Sequence, residues 1–292
     1  MEKLSSYLKL MRVKHYIKNL LIFLPLIFSL NFYQIEQVSK VIIGFILFCL
    51  TSSVVYIVND IHDVEKDKMH PQKSKRPIAA GKVSIKEAYF LACGLIMLIT
   101  IIGLICNINL NSALILITYF LLNIAYSKKL KNIPLVDVSI LVICFVLRII
   151  YGAFIIDVTV SNWLYLTIIS FAFYLSLGKR RNEMQKMQDS DNNQTREVLK
   201  YYSKNFLDKN MYMCLALTIV FYAMWCVDPI NIEKFQTNYL IFTIPLLMII
   251  CMKYSANIEG DSLGDPVEVV LSDKILIALI LIYIIIMAIM II

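Results

Sequence analysis

Asn59, Asp60, Asp63 and Asp67 stand close together at the end of an apolar run, in the segment NDIHDVEKDKMHPQKSKRPIAAG that covers residues 59–81. If that run is helical, Asp60, Asp63 and Asp67 fall at i, i+3 and i+7 and project from one face. Lys68, Lys73, Lys75 and Arg76 follow directly. Carboxylates alone repel a phosphate. Carboxylates that hold a hard divalent cation, with lysine and arginine beside them, suit a diphosphate. Acids at the C-terminal end of a helix also oppose its dipole, and three on one face repel each other. Something positive should offset both effects, and Mg²⁺ with a phosphate ligand is the simplest candidate. The plainer alternative is a solvated helix end whose acids balance nearby lysines.

Three further clusters carry charge in unusual places. Tyr126, Ser127, Lys128, Lys129 and Lys131 are followed by Asp137 and, eleven residues on, by Arg148. Eleven residues is close to three helical turns, so Asp137 and Arg148 share a face, about 16 Å apart along the axis. An arginine in the middle of a membrane helix costs roughly 2.5–3.5 kcal/mol. Arg148 should therefore face a cavity and hold an anion, or form an ion pair with an acid on another helix. Gly178, Lys179, Arg180, Arg181 and Glu183 close another apolar run, either as a membrane anchor or as a grip on a highly charged soluble molecule. Near the start, Arg12, Lys14, His15, Lys18 and Asn19 read as an interfacial anchor, with Lys14 and Lys18 at i, i+4 able to line an entrance.

The elements that must position these groups are membrane helices. The apolar fraction is 59% and the mean hydropathy +0.72, far above a soluble chain of this length. The class is all-α and polytopic, with about nine spans: 17–33, 41–60, 87–106, 111–126, 135–155, 161–177, 211–227, 239–254 and 274–292. With the N-terminus in the cytoplasm, the inside segments hold 25 of the 28 Lys and Arg residues, the outside segments hold two, and Arg148 lies within a span. That bias predicts N-in and C-out in the plasma membrane. It also accounts for the net charge of +7 without a nucleic-acid partner. All seven cysteines fall inside expected spans with no CxxC spacing, so they read as small core residues. Ser84 and Glu87 read as a capping box. Long charged loops at 61–86 and 178–210 follow the second and sixth spans, which suggests two related helical halves around one cavity open to the cytoplasm. Asp189–Gln194 reads as a polar turn. No linker divides the chain, so residues 1–292 are expected to form one domain.

At this level of detail the residues resemble a known family. NDxxDxxxD resembles the first acidic motif of the UbiA-type intramembrane prenyltransferase superfamily. HPQKSKRPIAAG and GKRRNE, with VKHYIKNLLIFLPLIFS, YSKKLKNIPLVD, FVLRIIYGAF, YYSKNFLD and GDPVEVVLSDK, are similar to its decaprenyl-phosphate phosphoribosyltransferase branch. Two positions depart from the pattern: Ile140 replaces the second acid of the usual DxxD motif after Asp137, and Lys253–Tyr254 stands for Arg–Tyr. The resemblance implies transfer of a phosphoribosyl group from phosphoribosyl diphosphate to a polyprenyl phosphate. Asn59, Asp60, Asp63 and Asp67 would hold Mg²⁺, with Mn²⁺ as the substitute ion. Lys73, Lys75 and Arg76 would grip the diphosphate, and Lys179, Arg180 and Arg181 the ribose 5-phosphate. Arg148 and Lys18 would meet the lipid phosphate. Asp137 joins the catalytic acids, and Asn19, Tyr126, Lys131 and Glu183 complete the binding set. A homo-oligomer is compatible with all of this. The runner-up is prenyl transfer from a polyprenyl diphosphate to an aromatic acceptor. A cation-coupled transporter is the distant third, because its charges would sit near the midplane on broken helices.

The spacing of the acids makes the first prediction. Asp60→Asn or Asp63→Asn lowers turnover at least about 100-fold in a folded protein, as does excess chelator, because each removes part of the hard-cation site. Near-normal activity in these variants would defeat the metal assignment.

Overall fold

The computed structural model describes residues 2–69, 73–189, 197–260 and 265–291. His70, Pro71, Gly264 and the polar turn that follows Asp189 lie outside the described residues. Among the described residues every regular element is helical. In chain order the α-helices are α1 (Glu2–Leu10), α2 (Leu24–Phe28), α3 (Ile35–His62), α4 (Val64–Met69), α5 (Ile85–Ile105), α6 (Leu110–Lys128), α7 (Val136–Ile155), α8 (Asn162–Asp189), α9 (Lys204–Val227), α10 (Pro229–Phe235), α11 (Ile244–Glu259), α12 (Pro266–Ser272) and α13 (Lys274–Ile291).

Among the described residues, seven helical segments are long and apolar enough to cross a membrane: α3, α5, α6, α7, α9, Tyr239–Glu259 and α13. The other two expected spans take different forms. Residues 17–33 are not one helix. A 3₁₀ segment, Val13–Phe23, leads into the five-residue α2, and a second 3₁₀ turn follows at Asn31–Tyr33. Pro25 sits in the first turn of α2, and Leu30 turns the chain with φ 63°. The expected span 161–177 coincides from Asn162 onward with the first part of α8, which continues from its apolar stretch into the charged run at Lys179.

The chain packs as two compact units, each discontinuous in sequence because α7 contributes to both. The first comprises residues 1–131 and 147–159. Here α3 is the central helix, with 61% of its apolar window buried against 17% for α5, so α5 leaves most of its surface uncovered by the rest of the protein. Leu10, Val54, Ile57, Ile78, Val83 and Ala88 pack in one buried cluster, which places Ile78 and Val83 against α3 and α5. The expected capping box is present: Ser84 accepts from the Glu87 amide while Glu87 accepts from the Ser84 amide. Gly152 lets α7 touch the 3₁₀ backbone. A Cβ there would lie 2.2 Å from the Ile22 carbonyl oxygen.

The second unit comprises residues 132–146 and 160–292. Its core gathers Tyr174, Leu177, Leu207, Met211, Tyr254 and Ile258 from α8, α9 and α11. Ser203 caps α9 by accepting from the Phe206 amide, and Asp265 caps α12 just ahead of Pro266.

Glycine substitutions separate close approach from open surface. Gly152→Ala meets fixed backbone and lowers stability by about 1–3 kcal/mol. Gly94→Ala meets no heavy atom within 4 Å and gains up to about 1 kcal/mol of helix propensity. Gly44→Ala meets the flexible tip of Ile155 and falls between them. Thermal melts of the three variants check the order.

Candidate active site

The three acids of the first motif do not stay on one continuous helix. α3 ends at His62, Asp63 adopts φ −94° and ψ 8°, and α4 begins at Val64. The chain bends rather than stops, because the Asp63 amide still donates to the Asn59 carbonyl at 2.9 Å and the Asp67 amide to the Asp63 carbonyl at 2.8 Å. The bend separates the acids by partner. Asp60 and Asp67 are buried and share Arg76, whose Nη1 lies 3.1 Å from Asp60 Oδ1 and 2.6 Å from Asp67 Oδ2. Asp63 is half-buried and faces Lys131, with Nζ 3.4 Å from Oδ2.

Arg76 reaches the acids because the loop after it is anchored. Pro77 and Ile78 are buried, the Ala80 amide bonds the Arg76 carbonyl at 2.8 Å, and Gly81 takes φ 71° to turn the chain back. Arg12 supplies a second guanidinium from the N-terminal side. Its Nη2 donates to Asp60 Oδ1 at 2.7 Å, and its guanidinium carbon lies 4.5 Å from the centre of the Tyr56 ring. Two carboxylates and two guanidiniums therefore alternate in one place. Buried acids this close would repel without them. Lys73 is half-buried and Lys75 exposed beside this cluster.

The same end of the unit fits a hard cation by its chemistry. Mg²⁺ usually takes one or two carboxylates and completes its shell with water and substrate phosphates. Asp60 and Asp67 converge on one cation position. Asn59 Oδ1 is buried with no hydrogen-bond partner, and Asn59 lines a cavity of about 130 Å³ with His62, Tyr89, Ser127 and Lys128. Among the described residues no three His, Cys, Asp or Glu side chains gather closely enough to hold an ion alone.

Deeper in the first unit, Arg148 is buried. Its Nε donates to Asn19 Oδ1 at 2.8 Å and its Nη2 to the Tyr119 hydroxyl at 3.2 Å. The guanidinium also lies 5.3 Å from the Phe48 ring centre and 5.1 Å from that of Tyr119. Asn19 is buried too, and its Nδ2 lies 3.3 Å from Cys49 Sγ and 3.4 Å from Ser52 Oγ. Asn19 thus aims Arg148. Lys18 and Tyr126 are half-buried.

Asp137 and Arg148 go separate ways on α7. Asp137 is fully buried in the second unit, with Oδ2 2.6 Å from Arg180 Nε and Oδ1 accepting from the Tyr202 hydroxyl at 2.6 Å. Burial, together with that hydrogen bond, pushes the Tyr202 phenol up to about 12, so it stays protonated as a donor. The same hydroxyl accepts the Leu135 amide at 2.7 Å, pinning the turn where Leu135 takes φ 66°. Arg180 Nη1 also bonds Glu183 at 2.8 Å. Arg181 bonds Asp208 at 2.7 Å and the Ile258 carbonyl at 3.2 Å, and Lys179 lies 3.3 Å from Asp265. All three cations of the GKRR run are therefore engaged by acids of their own unit. Lys253 bonds Asp273 at 2.8 Å and with Asn257 holds that carboxylate well below its usual range.

Participants that escape the sequence reading include Tyr119, Arg12, Tyr202, Asp208 and Asp265. The last three lie in YYSKNFLD and GDPVEVVLSDK, which carry part of the resemblance. Arg12 had only its place in a basic run.

Comparison with known proteins gives a consistent set of likenesses. The family model described as the UbiA prenyltransferase family matches residues 20–267. The chain is 28% identical over 284 residues to the decaprenyl-phosphate phosphoribosyltransferase of Mycolicibacterium smegmatis, covering 93% of this chain and 88% of that protein. It is 29% identical over 278 residues to the protein of that name from Corynebacterium glutamicum, covering 93% and 82%. In fold it is similar to a UbiA homologue from Archaeoglobus fulgidus solved with GPP and Mg²⁺, with TM-score 0.67 and 18% identity over 95% of this chain and 97% of that one.

The buried Asp137–Arg180 pair predicts a stability effect. Asp137→Asn removes the buried one of the two carboxylates that Arg180 bonds and leaves it Glu183, so the protein is destabilised by about 2–4 kcal/mol, below the full cost of stranding a buried charge. Lys131→Ala, which removes a partly exposed partner of Asp63, costs about 1 kcal/mol or less. Chemical denaturation in detergent compares the two.

Proposed function

This chain belongs to the UbiA prenyltransferase family, and from that premise we propose that it transfers the 5-phosphoribosyl group of phosphoribosyl diphosphate to a polyprenyl phosphate. The observation that carries the reading is the alternation of buried acids and guanidiniums at the end of α3, where Asp60 and Asp67 share Arg76 and Asp60 also meets Arg12. The likeness to decaprenyl-phosphate phosphoribosyltransferases over nearly the whole chain supports the choice of substrates.

A phosphate oxygen of the lipid attacks C1 of the donor as the bond from C1 to the pyrophosphate oxygen breaks, and pyrophosphate leaves with the electron pair. The nucleophile is already ionised, so the reaction needs no strong general base. Mg²⁺, with Mn²⁺ as substitute, would be held by Asp60, Asp63, Asp67 and Asn59, and when bound it neutralises charge on the departing pyrophosphate. Arg12, Arg76, Lys73, Lys75 and Lys131 bind the diphosphate oxygens, since each lies on the segments around the acids. Arg148, aimed by Asn19, and Lys18 meet the lipid phosphate. Tyr126 lines the same side. Lys179 is assigned to the ribose 5-phosphate. Arg180 and Arg181, buried among Asp137, Glu183 and Asp208, hold that region in shape. The protein works as a single UbiA-type domain in the plasma membrane with its N-terminus and charged loops in the cytoplasm.

Purified protein is incubated with labelled phosphoribosyl diphosphate and a polyprenyl phosphate. Label is expected in the organic phase, and chelator abolishes it. Arg76→Ala raises the KM for phosphoribosyl diphosphate about 10–100-fold, the effect of losing a charged hydrogen bond, with little change for the lipid. Prenyl transfer from a polyprenyl diphosphate to an aromatic acid, with none of the label moving from phosphoribosyl diphosphate, would establish the runner-up instead.

A further inference from the structure

The cavity of about 130 Å³ between α3, α5 and α6 lies beside the acid cluster rather than within it. Val58 and His62 line it one helical turn apart. Asp60, midway between them in sequence, falls on the opposite face of α3. One water needs only about 10–15 Å³, so the space suits a polar group of several atoms. Asn59 brings to it an amide whose Oδ1 is buried without a hydrogen-bond partner. Lys128 is exposed at its edge and has no acid beside it among the described residues. No carboxylate lines the cavity. A ligand here should therefore bring negative charge for Lys128 and a neutral donor for Asn59.

The same helices carry an apolar track away from the cavity. α5 and α6 both pack on α3. On α6, Ile117, Leu121, Ile124 and Lys128 follow at i, i+4, i+7 and i+11, one line along the helix, and Ile117 and Leu121 are exposed. On α5, exposed Cys93 and Ile96 continue the line of Tyr89. From Ile117 to Lys128 is about 16 Å, half of the roughly 30 Å hydrocarbon core of a bilayer. That is the depth of one leaflet, with Tyr89 at the level where aromatic side chains meet headgroups. Basic pockets between membrane helices suit anionic headgroups. We propose that this cavity seats the headgroup of an anionic glycerophospholipid of the phosphatidylglycerol type. Its phosphate meets Lys128, a headgroup hydroxyl donates to Asn59 Oδ1, and one acyl chain follows α6. An ionised polyprenyl phosphate has no such hydroxyl to offer. The inference goes beyond the proposed reaction, because this lipid is a resident ligand and not a substrate. Asn59 directly precedes Asp60, so the headgroup links the composition of the leaflet to the acid cluster.

The test reads binding apart from transfer. Full-length protein is delipidated in detergent and titrated, without phosphoribosyl diphosphate, with phosphatidylglycerol or phosphatidylcholine, and bound copies are counted by native mass spectrometry. The tightest copy of phosphatidylglycerol is expected to bind at least about tenfold more strongly than phosphatidylcholine. Lys128→Ala should weaken that copy about tenfold, the effect of losing one charged hydrogen bond. Lys128→Arg should retain it, and Lys82→Ala, at an exposed lysine outside the lining, should change nothing. If Lys128→Ala does not fold, Lys128→Gln serves. Phosphatidylglycerol with a photoreactive diazirine in its acyl chain should label residues 89–96 and 117–128. Equal binding of phosphatidylcholine, unchanged affinity in Lys128→Ala, or labelling confined to other segments overturns the proposal. So does displacement of the bound lipid by an equal concentration of polyprenyl phosphate, which gives the cavity to the substrate, or by inorganic phosphate, which makes it a site for free anions. Selective retention of phosphatidylglycerol by a protein that transfers no phosphoribosyl group leaves the cavity assigned and removes the proposed function, so the two readings fail separately.

Discussion

One guanidinium nitrogen shared by two buried carboxylates organises the polar end of the first unit. Asp60 arrives from the last turn of α3 and Asp67 from α4, and Arg76 comes from the loop that follows. Burying two acids side by side is unfavourable unless cations accompany them. The bend at Asp63, the buried Ile78 and Val83, and the tight turn at Gly81 therefore read as one device. Each brings the arginine to the acids. Arg12 adds a second cation from a segment some fifty residues earlier, so the cluster also ties the start of the chain to the end of the central helix.

The second unit meets the same electrostatic problem differently. Asp137 has both oxygens filled, one by Arg180 and one by Tyr202. A carboxylate so satisfied has little left to offer a metal ion, which agrees with the replacement of the second motif acid by Ile140. The acids of the first unit are bridged by arginines near the protein surface, where solvent and a charged ligand can compete. The acids are buried in both places; the difference lies in the cation, since Arg180 is fully buried while Arg12 and Arg76 are partly exposed.

Much of this was legible in the residues. Helical class follows from apolar runs, and the Ser84–Glu87 box is a local pattern that local chemistry satisfies. The runs of charge around Asp60, Asp137 and Arg180 are visible in the residues themselves. Their pairing was not legible. Spacing places Asp63 with Asp60 and Asp67, whereas a bend of one residue sends it to Lys131. Asp137 and Arg148 share a helical face on paper, yet their partners come from distant segments that no periodicity connects. The 3₁₀ course of Val13–Phe23 escaped because it has the apolar composition of a membrane span. Only its contact with Gly152 shows why it must pass so close.

The first dozen residues deserve to be treated as part of the machinery. Lys3 bonds Glu87 at the foot of α5, Leu10 is fully buried, and Arg12 turns through φ 54° to reach Asp60. Anything attached ahead of this segment stands within a dozen residues of a side chain that bonds Asp60. A purification handle or reporter fused at that end acts as a load on the site, whereas one placed after α13 hangs from an apolar helix that contributes none of the charged groups. The choice of fusion end thus becomes a choice about chemistry as well as convenience.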